Sequence, residues 1–130
     1  MPNAKQHAII GAAVAGGLCL ATELLTAYLT KDESDPRSIL QRVSWGNVAA
    51  FAAVGGAIAL LPDILEPAVS PHHRQFFHSL AMIGLTGYGI LGEHTKQWSP
   101  RSRNDATICA AAYLSHLMAD GLTPKGLPWV

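Results

Sequence analysis

Charge is scarce in this chain. Asp, Glu, Lys and Arg make up 14% of its 130 residues, and 9 basic residues balance 9 acidic ones. With neither sign in excess, no nucleic-acid or polyanion partner is expected. Cysteine is nearly missing too. Cys19 and Cys109 each lie deep in an apolar run without a Cys-x-x-C neighbour. That argues against a disulfide framework or a thiolate zinc knuckle and leaves two small buried residues. No stretch alternates apolar and polar residues with period two, so strands are not expected. Internal repeats and low-complexity tracts are lacking as well, and the length fits one domain.

What fills the chain instead is apolar: hydrophobic residues reach 49%. They gather in four runs, about 8–30, 44–62, 76–92 and 106–120. The first two hold ~20 residues, enough at 1.5 Å per residue to cross a ~30 Å hydrocarbon core. The third and fourth are shorter and span only with tilt, thinning or polar mouths. Segments 31–36 and 99–105 read as polar linkers, with Asn104 or Asp105 as N-cap of the last helix. The first run is too long for a signal-peptide core and is expected to be a retained helix.

Glycine recurs inside these runs, at Gly11, Gly16, Gly17, Gly55, Gly56, Gly84, Gly87 and Gly89. In a water-exposed helix each costs about 1 kcal/mol relative to Ala. In lipid, small residues let helix backbones approach closely. The expected fold is therefore all-α, a four-helix membrane bundle with short polar loops. A tightly packed or oligomeric soluble helical domain is the alternative.

The polar residues worth most attention are His7, Asp63, His73, His78, His116 and Asp120. In an up-down bundle, which short linkers favour, His7 starts helix 1 and Asp63 ends helix 2. His73 and His78 flank the start of helix 3, and His116 and Asp120 close helix 4. All six then fall at one end. His94, at the far end of helix 3, is excluded, and His72 could exchange roles with His73. His116 and Asp120, four apart, share a helix face. Imidazole and carboxylate without thiolate suit a divalent metal, zinc, manganese or iron, and resemble a catalytic set more than a structural one. The plain alternatives are interfacial loop histidines and a hydrogen-bonded His–Asp pair. Glu23, inside helix 1, reads as an acid paired with a neighbour's polar group. Arg74 offers a guanidinium to an anionic substrate or to lipid headgroups.

Three motifs carry a family resemblance: Leu60-Leu-Pro-Asp63; His73-Arg74-x-x-x-His78-Ser79-Leu80; and Tyr113-Leu-Ser-His116-x-x-x-Asp120-x-x-Thr123-Pro-x-Gly126. Together with His7 they resemble the bacterial membrane-bound metal-dependent hydrolases, the family of the LexA-regulated inner-membrane hydrolase. The resemblance covers most of the chain. It implies an integral inner-membrane protein with zinc foremost as its metal, remotely similar to zinc-dependent phospholipase C. It points to His7, Asp63, His73, His78, His116 and Asp120 as ligands, with Arg74 and Thr123 nearby. The chain departs from the family where a second aspartate is usual: position 65 is Leu, with Glu66 beside it as a substitute. Gln75 and Phe77 replace the usual glycine and threonine, and relatives often continue beyond the position of Val130.

The expected activity is hydrolysis of a phosphodiester or ester of a lipid-like substrate, with Asp63 or Asp120 as base and Arg74 on the substrate. A non-catalytic protein with a structural metal or a polar helix-end cluster is the competing expectation. The expected partners are membrane lipid and a small or lipid substrate, with self-association open. Lys31, Arg37, Arg42, Lys96, Arg101 and Arg103 lie opposite the site, against Lys5, Arg74 and Lys125 beside it. By the positive-inside tendency the site then faces away from the cytoplasm.

Overall fold

The computed structural model describes residues 3–67, 76–123 and 127. Among them the fold is all-α, without strands. The helices are α1 (Ala4–Leu29), α2 (Ile39–Arg42), α3 (Trp45–Ile58), α4 (Leu61–Leu65), α5 (Leu80–Leu91) and α6 (Pro100–Gly121), with a 3-10 turn at Glu93–Gln97.

Local chemistry explains where these boundaries depart from the hydropathy pattern. α1 starts four residues before its apolar run. Asn3 accepts from the Gln6 N–H at 3.0 Å while the Gln6 side chain accepts from the Asn3 N–H at 2.8 Å, a complete capping box. The second run, expected as one helix over 44–62, is broken. α3 ends at Ile58 because the ring of Pro62 clashes with a helical carbonyl four residues back and has no N–H to offer. α5 begins at Leu80, later than position 76, because Ser79 is the cap and accepts from the Met82 N–H. The stretch 99–105, read from sequence as a linker capped at Asn104 or Asp105, is instead the opening of α6. Ser99 accepts from the Ser102 N–H at 3.0 Å, and Pro100 occupies the first turn, where its missing N–H is harmless. Charge in that first turn hid it from a hydropathy reading.

α1 packs most closely on α3, with α6 laid across both and α5 resting chiefly on α6. The α1–α3 contact is backbone against backbone. A Cβ on Gly11 would lie 2.5 Å from the Gly55 carbonyl oxygen, and one on Gly55 would lie 2.7 Å from the Gly11 oxygen. One on Gly16 would lie 3.0 Å from the Ala52 methyl. The expectation of small-residue packing thus holds here. It fails at Gly17, Gly84, Gly87 and Gly89, where a Cβ would meet nothing within 4 Å. Ala15, Cys19, Ile108 and Ala112 form the buried core, flanked by Val48, Phe51 and Ile58. Among the described residues two stretches are long and apolar enough to cross a membrane, Ala4–Leu29 and Trp45–Leu65. Only 22% of each is buried within the chain, so most of their apolar surface faces outward.

Candidate metal centre

His7, Asp63, His78, His116 and Asp120 come together at one end of the bundle. His73 and Arg74, and with them His72, lie outside the described residues. His94 sits at the other end, exposed, with Nε2 against the Gly89 carbonyl at 3.1 Å.

Each of these side chains is placed by a distinct local device. His7 is on the second turn of α1, one turn before Gly11, so the close α1–α3 approach presses it inward. Asp63 follows Pro62 on the short α4 and keeps 33% of its side-chain surface exposed. His78 lies in the turn before α5. The Tyr113 hydroxyl donates to the Phe77 carbonyl at 2.8 Å, and the Ser79 hydroxyl donates to that of Phe76 at 2.6 Å. His116 and Asp120 are one turn apart on α6, with Nε2 and Oδ2 3.5 Å apart. The Thr123 hydroxyl donates to the Asp120 carbonyl at 2.7 Å and secures the end of α6. His78, His116 and Asp120 are fully buried and His7 nearly so.

One hydrogen bond fixes a ring tautomer. His116 Nδ1 donates to the Ala59 carbonyl at 2.6 Å, and a carbonyl can only accept, so the neutral ring carries its lone pair on Nε2. His78 lies between two carboxylates, Nδ1 3.1 Å from Glu66 and Nε2 3.2 Å from Asp63. The two Nε2 atoms face each other at 3.0 Å. With the His78 proton on Nδ1, toward Glu66, two lone pairs meet there and repel unless a cation lies against them; with it on Nε2, that N–H donates to Asp63 or to His116. Two carboxylates add to the demand. Asp63 Oδ1 is 3.2 Å from His78 Nε2 and 3.7 Å from His116 Nε2, and Asp120 Oδ2 is 3.8 Å from His78 Nε2. A tetrahedral ion with ligand bonds of about 2.1 Å has ligand–ligand separations of about 3.4 Å. The separations found, 3.0 to 3.8 Å, straddle that value. His78, His116 and Asp120 fit a divalent metal in donor type and spacing, and Asp63 lies beside both rings.

His7 extends the cluster. Its Nε2 lies 3.4 Å from the other Asp120 oxygen, Oδ1, and its ring stacks on His116 with centroids 3.7 Å apart. Ligand atoms of His7, Asp63 and His116 all lie within 4.8 Å of one another, as do those of His78, His116 and Asp120.

A model of one family, described as YdjM inner membrane protein, matches residues 1–130, the full chain. The chain belongs to the YdjM inner membrane protein family. No curated protein and no solved structure matches it. Membership of the YdjM family, together with the two long apolar stretches, makes this a protein of the bacterial inner membrane. The resemblance drawn from the motifs is upheld to that extent; the YdjM description names no activity.

Sequence reasoning missed two orienting groups or saw them in another role. The Ala59 carbonyl that holds His116 leaves no trace in side-chain patterns, although Pro62 three residues on was a signal that the helix breaks here. Glu66 was considered as a stand-in for the aspartate replaced by Leu65. Instead it orients His78 and accepts from the Phe76 N–H at 2.8 Å, while Leu65 is half exposed. Burial pushes the Glu66 carboxyl up, but the Phe76 N–H, the His78 ring and the Phe77 N–H outweigh it and leave the group below its ordinary value.

Proposed function

We propose that this protein is a zinc-dependent hydrolase of the inner membrane, acting on a phosphodiester or ester of a lipid-like substrate. The observation that carries the reading is the pair of Nε2 atoms 3.0 Å apart beside two carboxylates. His78, His116, Asp63 and Asp120 would hold the ion, with His7 against the second oxygen of Asp120. A metal bound there supplies a water of lowered pKa and a Lewis acid for the scissile group. Among these residues Asp63 alone has substantial exposure, so it is the group placed to take a proton from water at the open side. Asp120, fully buried between His7 and the facing rings, serves as ligand rather than base. Glu66 and the Ala59 carbonyl keep Nδ1 protonated on the two rings and so keep Nε2 free to bind. Arg74 and His73 complete the reading as substrate anchor and further ligand, and the site faces the extracytoplasmic side.

The test is metal analysis of the purified protein beside assays on a panel of phospholipids and phosphodiesters. The protein should hold zinc and hydrolyse at least one substrate class, and His78→Ala should abolish the activity. Metal retained in the His116→Ala/Asp120→Ala double variant would sink the assignment. The complete burial of His78, His116 and Asp120 favours a second reading, a structural metal that ties helix ends together. Full zinc occupancy without hydrolysis of any panel member would select it.

A further inference from the structure

The polar groups at the far end of the bundle set the height of the His–Asp cluster in the membrane. On α1, Glu23 follows His7 by 16 residues, about 24 Å along the axis, and accepts from the Ser44 N–H and the Asn47 amide at the start of α3. On α6, the exposed Arg103 precedes His116 by 13 residues, about 20 Å. α5 runs only about 17 Å from Leu80 to Leu91 before the exposed Glu93–Lys96 ion pair. Three helices thus place a polar girdle about 17–24 Å from the cluster. The last turn of α1 rises past the girdle, where the Arg42 guanidinium donates to the Ala27 and Thr30 carbonyls. A hydrocarbon core is about 30 Å thick. With the girdle at one boundary, the cluster falls short of the other. Outward snorkelling of the girdle's Arg and Lys side chains brings the cluster up to that boundary but not beyond it.

The surface around the cluster agrees with that height. Ile64 is 64% exposed and Leu122, one residue past the end of α6, is 88% exposed. Leu61, Leu65, Phe76 and Met118 are exposed as well. An apolar rim of this kind at and beyond the level of Asp120 is covered by acyl chains in a bilayer, and facing water it would be a liability. The five-residue α4 carries three of the rim residues, Leu61, Ile64 and Leu65. It also carries Asp63, the member of the cluster with exposed surface. The open side of the cluster therefore belongs to an element that faces hydrocarbon.

We propose that the cluster takes its substrate sideways from the bilayer and cleaves a carboxyl ester of a membrane lipid; this rests on the hydrolase reading above and narrows it. The acyl ester carbonyls of a lipid lie at the hydrocarbon boundary, the level of the cluster. Phosphates lie farther out, in a headgroup layer about 5–7 Å deep. Water penetrates to the ester level, so the reaction has its co-substrate there. An acyl chain lies along Leu61, Ile64 and Leu65, and its carbonyl meets the Asp63 side of the cluster. Water adds to the carbonyl carbon and the C–O bond to the glycerol oxygen breaks. The proton released by the water passes by way of Asp63 to that oxygen, leaving a fatty acid and a lysolipid.

Full-length protein loaded with zinc, in nanodiscs of phosphatidylethanolamine and phosphatidylglycerol, tests this in two ways. Mass spectrometry of the lipids should show fatty acid and lysolipid released one for one. Spin labels at Ile64→Cys and Leu122→Cys, in a Cys19→Ala/Cys109→Ala background with an unchanged unfolding temperature, report depth. Both should collide with oxygen far more than with a water-soluble nickel chelate, and a label at Lys31→Cys should do the reverse. Diacylglycerol in place of lysolipid, or nickel reaching both rim labels as freely as Lys31→Cys, overturns the proposal and leaves the hydrolase reading standing. Rim labels at hydrocarbon depth and zinc bound, with no lipid product of any kind, sink both.

Discussion

Gly55→Ala is a one-carbon test of how the two ends of the candidate metal centre are held at their spacing. The added Cβ would fall 2.7 Å from the Gly11 carbonyl oxygen and into the Ala15 methyl. Neither obstacle can rotate away, since one is backbone and the other a Cβ. Restoring ordinary contact at 3.4 Å requires α1 and α3 to part by about 0.7 Å along the direction of the Gly11 oxygen, and by more along that of the nearer Ala15 methyl. Overpacking of this kind costs about 1–3 kcal/mol. The displacement also bears on function, because Gly55 is one turn before Ala59, whose carbonyl orients His116. Gly56→Ala, with its nearest obstacle the Ala8 oxygen at 3.1 Å, should cost less, and Gly17→Ala, with nothing within 4 Å, should be neutral or slightly stabilising. Equilibrium unfolding in detergent, followed by helicity and paired with zinc stoichiometry, reads all three. The expected order of stability is Gly17→Ala, then Gly56→Ala, then Gly55→Ala, with reduced zinc affinity in the last. If Gly55→Ala matches the parent protein, or Gly17→Ala is equally damaging, the backbone-contact reasoning is wrong.

Glu66→Gln should lower zinc affinity about 10–100-fold while the fold survives, because the His78 tautomer loses its carboxylate partner; competition with a chelator measures it. Tyr113→Phe removes the hydroxyl that holds the Phe77 carbonyl and should cost about 1 kcal/mol of stability, visible in the same detergent unfolding. Asp35 accepts from the Arg37 side chain and backbone and from Arg42, which hold its carboxyl well below the ordinary carboxylate range. A depressed folded-state value stabilises the fold above the unfolded value of about 4 and is lost as pH falls toward the folded one. Asp35→Asn should therefore be less stable than the parent at pH 7, with the gap closing in acid; a gap independent of pH would refute the linkage.

Much of the His–Asp cluster was legible in the sequence because topology alone determines which helix ends meet. Start, end, start, end brought His7, Asp63, His78 and His116 to one place and sent His94 to the other, without knowledge of any side-chain angle. The i, i+4 spacing of His116 and Asp120 carried the same weight. Less legible were features set by single hydrogen bonds. The break at Pro62 divided a hydrophobic run that hydropathy reads as continuous. The Ser99 cap turned a charged linker into the first turns of α6. Glycines looked alike in sequence, yet only those facing another backbone do packing work; Gly84 and Gly87 on α5 face open space. Glu23 was read as an acid satisfied by a neighbour, and Ser44 and Asn47 are that neighbour.

The two facing histidines differ in how their orientation can be inherited. His78 is aimed by a side chain, so a single base change at codon 66 can retune or abolish it. His116 is aimed by the carbonyl of Ala59, which every amino acid supplies, so substitution at that position leaves the acceptor in place. Loss of Pro62 is the route by which mutation reaches it, through repair of the helix break. Drift in this lineage should therefore show first at the His78 side of the centre, while the His116 side stays aimed as long as the chain keeps its bend.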